Sequence, residues 1–395
     1  MKICGIVAEY NPFHNGHKYH LEKTREAGVR CVVAVMSGSF VQRAEPAVFS
    51  KFFRAKIAVQ QGVDLVIELP AQYAAGSSER FARGAVEILA ALGVVDSISF
   101  GSECGDVAAL KHAAEAVEDE RVKRRTKQLY EEGESYPKAR CKAVEEIYGA
   151  QTAELLATPN NLLAVDYLKA LDAIGSSIEP FTIERRAVAH DGGAKDEFAS
   201  ASYLRGRIAE GGDLEGYMPE DAALQTARMI EEGNASGGMK AIERVVLYKL
   251  RSMSKESFAA LPDCADGLGN RLYAAASGAK SMETLYEKAK TKRYTMSRVR
   301  RAVVCALLDI DSSFYFAAPY ARVLAIGKKG ESLLSEISNK AAIPVSHSIK
   351  KLLELGGNAE KTALAEIRAC DIFNLTLRDV APTGQDFTEK LYTGF

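Results

Sequence analysis

Residues Ile6–His20 read IVAEYNPFHNGHKYH, and this stretch decides the fold. An apolar β-like run ends in a Pro-bearing turn, which leads at once into two histidines three residues apart and then into helical spacing. In a sheet built from strand–helix–strand units, such a junction lies at the carboxyl edge, where ligands bind. The free N–H groups and positive dipole end of the following helix attract phosphate there. His14 and His17, at i and i+3, are expected on one face of the first turn, each able to donate to a phosphate oxygen. Gly16 between them has no side chain to keep a base or ribose from the backbone. Two other readings of the string are a surface helix start that happens to bear histidines and a zinc site, although no cysteine or carboxylate stands nearby at ligand spacing. The predicted metal set is therefore empty.

Working outward, Val- and Ile-rich runs recur at Ile3–Val7, Cys31–Met36, Leu65–Leu69 and Val95–Phe100. They read as buried parallel strands. Helical spacing between them (Phe52, Ala55, Ile57, Ala58; Phe81, Ala85, Ile88, Leu89) predicts an α/β, doubly wound parallel sheet, Rossmann-like. Residues 105–175 read as mostly helical and suggest no chemistry, and a further strand is expected at Ile178–Glu184 before a helix near Ser200. Gly211, Gly212, Gly216 and Pro219 punctuate the chain, and helical periodicity dominates beyond them. Two domains follow, 1–215 and a mostly helical 216–395, with one more apolar run at Val323–Ile326 whose role is not legible.

The 395 residues are enough for two such cores, and 47% apolar with 26% charged residues is the balance of a soluble globular protein. Seven scattered cysteines, with no C-x-x-C pair, predict reduced thiols and a cytoplasmic chain. The first apolar run is too short for a secretory signal, and no apolar stretch approaches the roughly 18 residues of a membrane span. A formal net charge of −1 excludes bulk polyanion binding. Local charge is another matter. Lys288–Arg301, KAKTKRYTMSRVRR, holds seven basic residues and no acid (Lys288, Lys290, Lys292, Arg293, Arg298, Arg300, Arg301), beside Tyr294. Val299, Val303 and Leu307 supply an apolar helical stripe to anchor it, so it reads either as a phosphate-backbone contact or as a solvated face.

Several strings stand in an order that resembles the tRNA(Met) cytidine acetate ligase family of the HIGH-type nucleotidylyltransferase superfamily. They are VAEYNPFHNGHKYH, MSGSFVQRAEPAVFSKFFRAKIAVQQGVDLVIELP, FGSECGD, TPNNLLAVDYLKAL, SASYLR and KTKRYTMSRVRR, and the resemblance covers about residues 2–305. It implies activation of acetate by ATP as acetyl-adenylate, then transfer of acetyl to N4 of the wobble cytidine of elongator tRNA(Met). It further implies His14 and His17 as catalytic residues. ATP contacts are implied along Val7, Ala8, Glu9, Tyr10, Asn11, Pro12, Phe13, His14, Asn15, Gly16, His17, Lys18, Tyr19 and His20, with others at Gly101, Asn160, Arg185 and Arg186. Ala44 and Ser202 stand where related sequences often have Gly and Thr.

The remaining candidates have plain physical readings beside this one. Gly101 and Ser102 are expected to follow the fourth strand, beside the first turn; Ser37, Gly38 and Ser39 follow the second. Asn160 opens a predicted helix, where capping is the commonest role of an asparagine. Arg185 and Arg186 suit stacking on adenine or gripping phosphate. Ser200, Ser202 and Arg205 resemble the superfamily's phosphate-holding helix start, and also read as an N-cap with a surface arginine. Ser252–Glu256, SMSKE, follows no strand and reads as a helix start. Mg²⁺ is expected between the phosphates without identifiable ligands. Competing functions are a nucleotidylyltransferase acting on a phosphorylated small molecule, which leaves the basic stretch unexplained, and an ATP-sensing RNA-binding protein, against which the intact histidines count.

Overall fold

The computed structural model describes residues 2–185, 194, 195 and 197–394. The apolar runs form β1 (Ile3–Ala8), β2 (Cys31–Ser37), β3 (Leu65–Leu69) and β4 (Ser97–Ser102), followed by β5 (Glu179–Glu184). Every residue of β2 and β3 is buried, which is why these strands are continuous in Val, Ile and Leu rather than alternating. The five strands are parallel in the order β3–β2–β1–β4–β5. Chain direction across the sheet reverses between β1 and β4, and that switch point is where the histidine turn emerges.

Helices α1 (Asn15–Glu26) and α2 (Lys51–Gln60) cover one face, packing on Val32, Ala34, Met36 and Val66. Helices α3 (Ser78–Ala91) and α4 (Pro159–Ala173) cover the other, over Val33, Val35, Leu65 and Ile67. Helix α5 (Ala201–Ala209) starts after Ser200, whose hydroxyl accepts from the Tyr203 amide at 3.1 Å. Residues 242–307 are helical around a core shared with Phe40, Ala44, Ala71, Ala75, Ala365 and Ala369, in which Val299, Val303 and Leu307 of α6 (Met296–Leu307) are buried as the stripe predicted, whereas Ala222 packs with the core beneath α1 and α2. Ser254 caps the short helix Lys255–Ala259, the helix start read in SMSKE.

Two expectations need correction. The fourth strand runs two residues beyond Phe100, because β5 pairs with it as far as Ser102 opposite Glu184, so Gly101 and Ser102 lie inside β4 and not after it. The region after residue 320 does not continue the helical body. It returns to the main sheet as β6 (Ala321–Ile326), antiparallel to β3, with β7 (Val345–Ser346) and β8 (Tyr392–Thr393) parallel to β6.

A buried ionic cluster fixes that return. Lys51 Nζ lies 2.7 Å from both Glu68 Oε1 and Asp386 Oδ1, and Arg322 Nη1 lies 3.1 Å from Glu68 Oε2 and also binds Asp386. All four side chains are at most 2% exposed, so two cations and two carboxylates neutralise each other away from water.

Candidate active site

Beyond β1 the backbone turns sharply: Tyr10 is buried at φ 45°, and the Asn11–Pro12 peptide is cis. Side chains from distant segments hold this turn. Asn11 Oδ1 accepts from the Val48 amide at 2.7 Å, and the Glu9 carboxylate accepts from the Gln42 amide at 2.8 Å. Arg54, on α2 and 2% exposed, donates to the carbonyls of Phe49 (3.0 Å), Glu9 (2.6 Å), Ser37 (3.0 Å) and Gly38. One guanidinium thereby ties the loop after β1 to the loop after β2, its fixed fork satisfying four acceptors. The hairpin Phe40–Val41/Glu45–Pro46 ends its turn at Ala44, φ 59°. A left-handed residue favours glycine there, which fits the glycine that the resemblance leads one to expect.

His14 stands at the N-cap of α1 and His17 in its first turn, with the two rings stacked 3.8 Å apart. Burial, reinforced by the Arg185 and Arg205 guanidinium groups, pushes His14 down to about 3. Burial also lowers His17, with His14, Arg185 and His20 adding to it. His20, on the next turn, is pushed down to about 4 by burial and Arg185. All three are neutral rings at pH 7, each with one N–H and one lone pair.

Their hydrogen bonds assign two tautomers. His17 Nδ1 accepts from the His14 amide at 3.3 Å, so His17 carries its proton on Nε2. Thr24 Oγ1 donates to the His20 carbonyl at 2.8 Å, and its 2.9 Å contact with Ser99 Oγ must then be donated by Ser99. Ser99, its single proton committed, accepts from His20 Nε2 at 2.8 Å. His20 is left with Nδ1 as an acceptor. The turn thus offers a donor at His17 and an acceptor at His20. His14 Nδ1 is buried without a partner. A Cβ on Gly16 would stand 2.9 Å from His14 Cε1, so the glycine makes room for that ring, and not only for a ligand as expected.

These groups line one cavity of about 1150 Å³, slightly larger than the usual ligand pocket. It contains Val7, Ala8, Glu9, Tyr10, Asn11, His14, Gly16, His17, Tyr19 and His20, together with Gly101, Asn160, Arg185, Ser202 and Arg205. Asn160 bridges its wall, donating to Glu103 Oε1 at 2.6 Å and accepting from Arg185 Nη1 at 3.1 Å. Its expected capping role falls to Glu103, whose carboxylate takes the Asn160 and Asn161 amides at 3.2 and 2.7 Å. Burial raises the Glu103 pKa, but these bonds outweigh it and hold the carboxylate below its usual range. Arg205 donates to the Asn11 carbonyl at 2.8 Å and to Ser202 Oγ at 3.2 Å, leaving the Ser202 hydroxyl proton for a ligand.

Other expected residues lie elsewhere. Pro12 and Phe13 are buried away from the cavity, and Asn15 bonds the carbonyls of Glu197 and Gly216, both at 2.9 Å. Lys18 turns to the Gln61 carbonyl at 3.4 Å, on the far side of α1. Arg186 lies outside the described residues. The basic stretch divides: Lys288, Lys290 and Lys292 are exposed, whereas Arg293, Arg298, Arg300 and Arg301 reach the cavity wall. Arg298 pairs with Asp266 at 2.8 Å, Arg300 with Glu45 at 3.6 Å and Arg301 with Asp263 at 3.9 Å. Arg54 and Glu103 went unnoticed in the sequence, where an arginine among helical spacing and a glutamate in a loop look solvated. Among the described residues no three His, Cys, Asp or Glu side chains gather as a metal site, and no helix is long and apolar enough to cross a membrane.

A family model described as HIGH Nucleotidyl Transferase matches residues 1–387. The tRNA(Met) cytidine acetate ligase of Thermoanaerobacter sp. strain X514 is 39% identical over 402 residues, 99% of each chain. The chain belongs to the tRNA(Met) cytidine acetate ligase family. Another ligase of this name, from Acetivibrio thermocellus, is 37% identical over 99% of both chains. The crystal structure of apo Thermotoga maritima TmcAL matches the whole of both chains with TM-score 0.93 at 30% identity, and that of the same protein bound with alpha-thio ATP with TM-score 0.90. As in the rest of this ligase family, the chain is an enzyme.

Proposed function

We propose that this chain activates acetate with ATP in its cavity and transfers the acetyl group to N4 of the wobble cytidine of elongator tRNA(Met), in the cytoplasm. The carrying observation is the turn at the β1–β4 switch point, where the positive end of α1, a donor ring at His17 and an acceptor ring at His20 meet at one cavity. Support comes from the ligase names of the relatives and the ATP analogue bound to the Thermotoga protein.

In the first step a carboxylate oxygen of acetate attacks the α-phosphate of ATP, the new P–O bond forming as the bond to pyrophosphate breaks. Charge spreading toward pyrophosphate meets the positive end of α1, His14, the His17 Nε2–H, the Ser202 hydroxyl and Arg205. His20 accepts from a donor on the bound nucleotide. In the second step the cytidine amine attacks the acyl carbon, its proton is lost, and AMP departs. Magnesium arrives with the triphosphate, and no residue of this chain is assigned to it.

Residues 216–320 form the RNA-binding side, with the exposed lysines of 288–292 meeting phosphates. The test of the first step is acetate-dependent exchange of pyrophosphate into ATP. The wild-type protein is expected to catalyse it, and His17→Ala to lose at least a hundredfold in rate with an unchanged melting temperature. Exchange without acetate, or a fully active variant, would contradict the assignment.

A further inference from the structure

The cavity extends past the histidines to a wall that the proposed chemistry leaves unused. Its mouth is built from the helices Glu120–Glu131 and Tyr136–Tyr148, in the region where the sequence suggested no function. Tyr130 is locked: its hydroxyl donates to Asp266 and accepts from Arg293 Nε at 3.0 Å and Arg298 Nη1 at 3.3 Å. The Arg293 guanidinium lies over its ring, 4.5 Å from the centroid. Tyr136 stands edge-on to Tyr130, with centroids 6.4 Å apart and planes at 78°. Tyr136 is 51% exposed although it begins a helix and lines the cavity. Arg140, one turn on, places its guanidinium 5.8 Å from the Tyr136 ring, and its Nε has no hydrogen-bond partner.

We propose that Tyr136, held by the fixed Tyr130 and flanked by Arg140, is the platform on which the acceptor pyrimidine of the RNA is splayed out and presented to the adenylate. The inference rests on the RNA reading above and adds the residues that receive the base. Charge chooses the occupant: Arg293 lines this cavity and is preceded along the chain by the exposed Lys288, Lys290 and Lys292, the last 3.5 Å from Glu134 between the two helices, which suits a phosphodiester. Chemistry then demands an aromatic face. N4 of a base inside a helix cannot reach an acyl carbon at the end of a cavity, and the stacking given up on leaving the helix must be replaced. A base on an aromatic side chain recovers about 1–3 kcal/mol. Cytosine presents two acceptors, O2 and N3, beside N4, so an arginine at that edge holds the base while N4 stays free. Uracil presents a donor at N3 and fits Arg140 less well.

The test uses an anticodon stem-loop RNA with fluorescent pyrrolocytosine at the wobble position, titrated with the full-length protein in the absence of ATP. Stacking on Tyr136 should quench the fluorescence. Tyr136→Ala should abolish the quench and weaken binding by about 5- to 150-fold, and Tyr136→Phe should restore both. With unlabelled competitors, the wild-type protein should prefer a wobble cytidine over a uridine, and Arg140→Leu should remove that preference. Melting temperatures equal to wild type certify each variant's fold. A quench that survives Tyr136→Ala overturns the platform alone. No binding by the wild-type protein overturns the platform together with the RNA reading beneath it.

Discussion

His20 shows how much a single proton position decides. The chain Thr24 to Ser99 to His20 fixes it as an acceptor, while the amide of His14 makes His17 a donor. Both rings must stay neutral for this polarity to persist, and burial keeps them so. Because the folded values lie below the usual 6.5, the unfolded chain takes up protons first as pH falls. Stability is therefore complete above pH 6.5 and drains below it toward about 4 for His20 and about 3 for His14, at up to about 1.4 kcal/mol per pH unit for each ring. His20→Gln removes one such ring, so the loss of stability between pH 7.5 and 5, measured by urea unfolding, should be smaller in the variant. An unchanged loss would mean that His20 takes up protons in the fold as readily as in water. At this scale the sequence was legible where the reason is local. His14, Gly16 and His17 lie in one turn, whereas Arg54 and Glu103 take their meaning from partners such as Ser37 and Asn161, which only the fold brings to them.

At the scale of elements, β1 to β4 were legible because strands buried on both faces must be continuously apolar, and a run of that kind announces itself. The place of β6 was not. Val323–Ile326 has the same composition, but its partner Leu65–Leu69 lies more than 250 residues earlier, and nothing in either run names the other. The basic stretch misled in a different way. Read as one patch, it divides because α6 turns Arg298 and Arg301 inward toward Asp266 and Asp263, while Lys288, Lys290 and Lys292 stay exposed ahead of the helix, Lys288 on the Gly278 carbonyl and Lys292 3.5 Å from Glu134. On the proposed function, phosphate binding falls to the lysines. Replacing all three with glutamine should weaken tRNA binding and reduce its salt dependence by up to about three counterions, with acetate-dependent exchange preserved. A filter-binding series from 50 to 300 mM salt reads this directly, and an unaltered slope would return the contact to the arginines.

For the whole molecule, the buried cluster of Lys51, Glu68, Arg322 and Asp386 joins the end of the chain to the strand beside the active site. Taking Asp386 from the set leaves two cations to share Glu68, a net positive charge in a dry interior. Asp386→Ala is expected to cost about 3–5 kcal/mol, seen as a lower denaturation midpoint. A change below about 1 kcal/mol would mean that water enters the cluster. The larger loss would mark the C-terminal segment as structural support for a sheet whose edge at β3 it covers, with the helical body and the cavity on one frame.

The most direct measurement of the central claim incubates the protein with ATP, magnesium, labelled acetate and unmodified elongator tRNA(Met), and then digests the RNA for mass spectrometry. The account predicts labelled N4-acetylcytidine at the wobble position, with one AMP and one pyrophosphate formed per acetyl group and no product from His17→Ala. Acetate-dependent pyrophosphate exchange with no acetylated cytidine would contradict the assigned acceptor, and the absence of both would contradict the ligase chemistry itself.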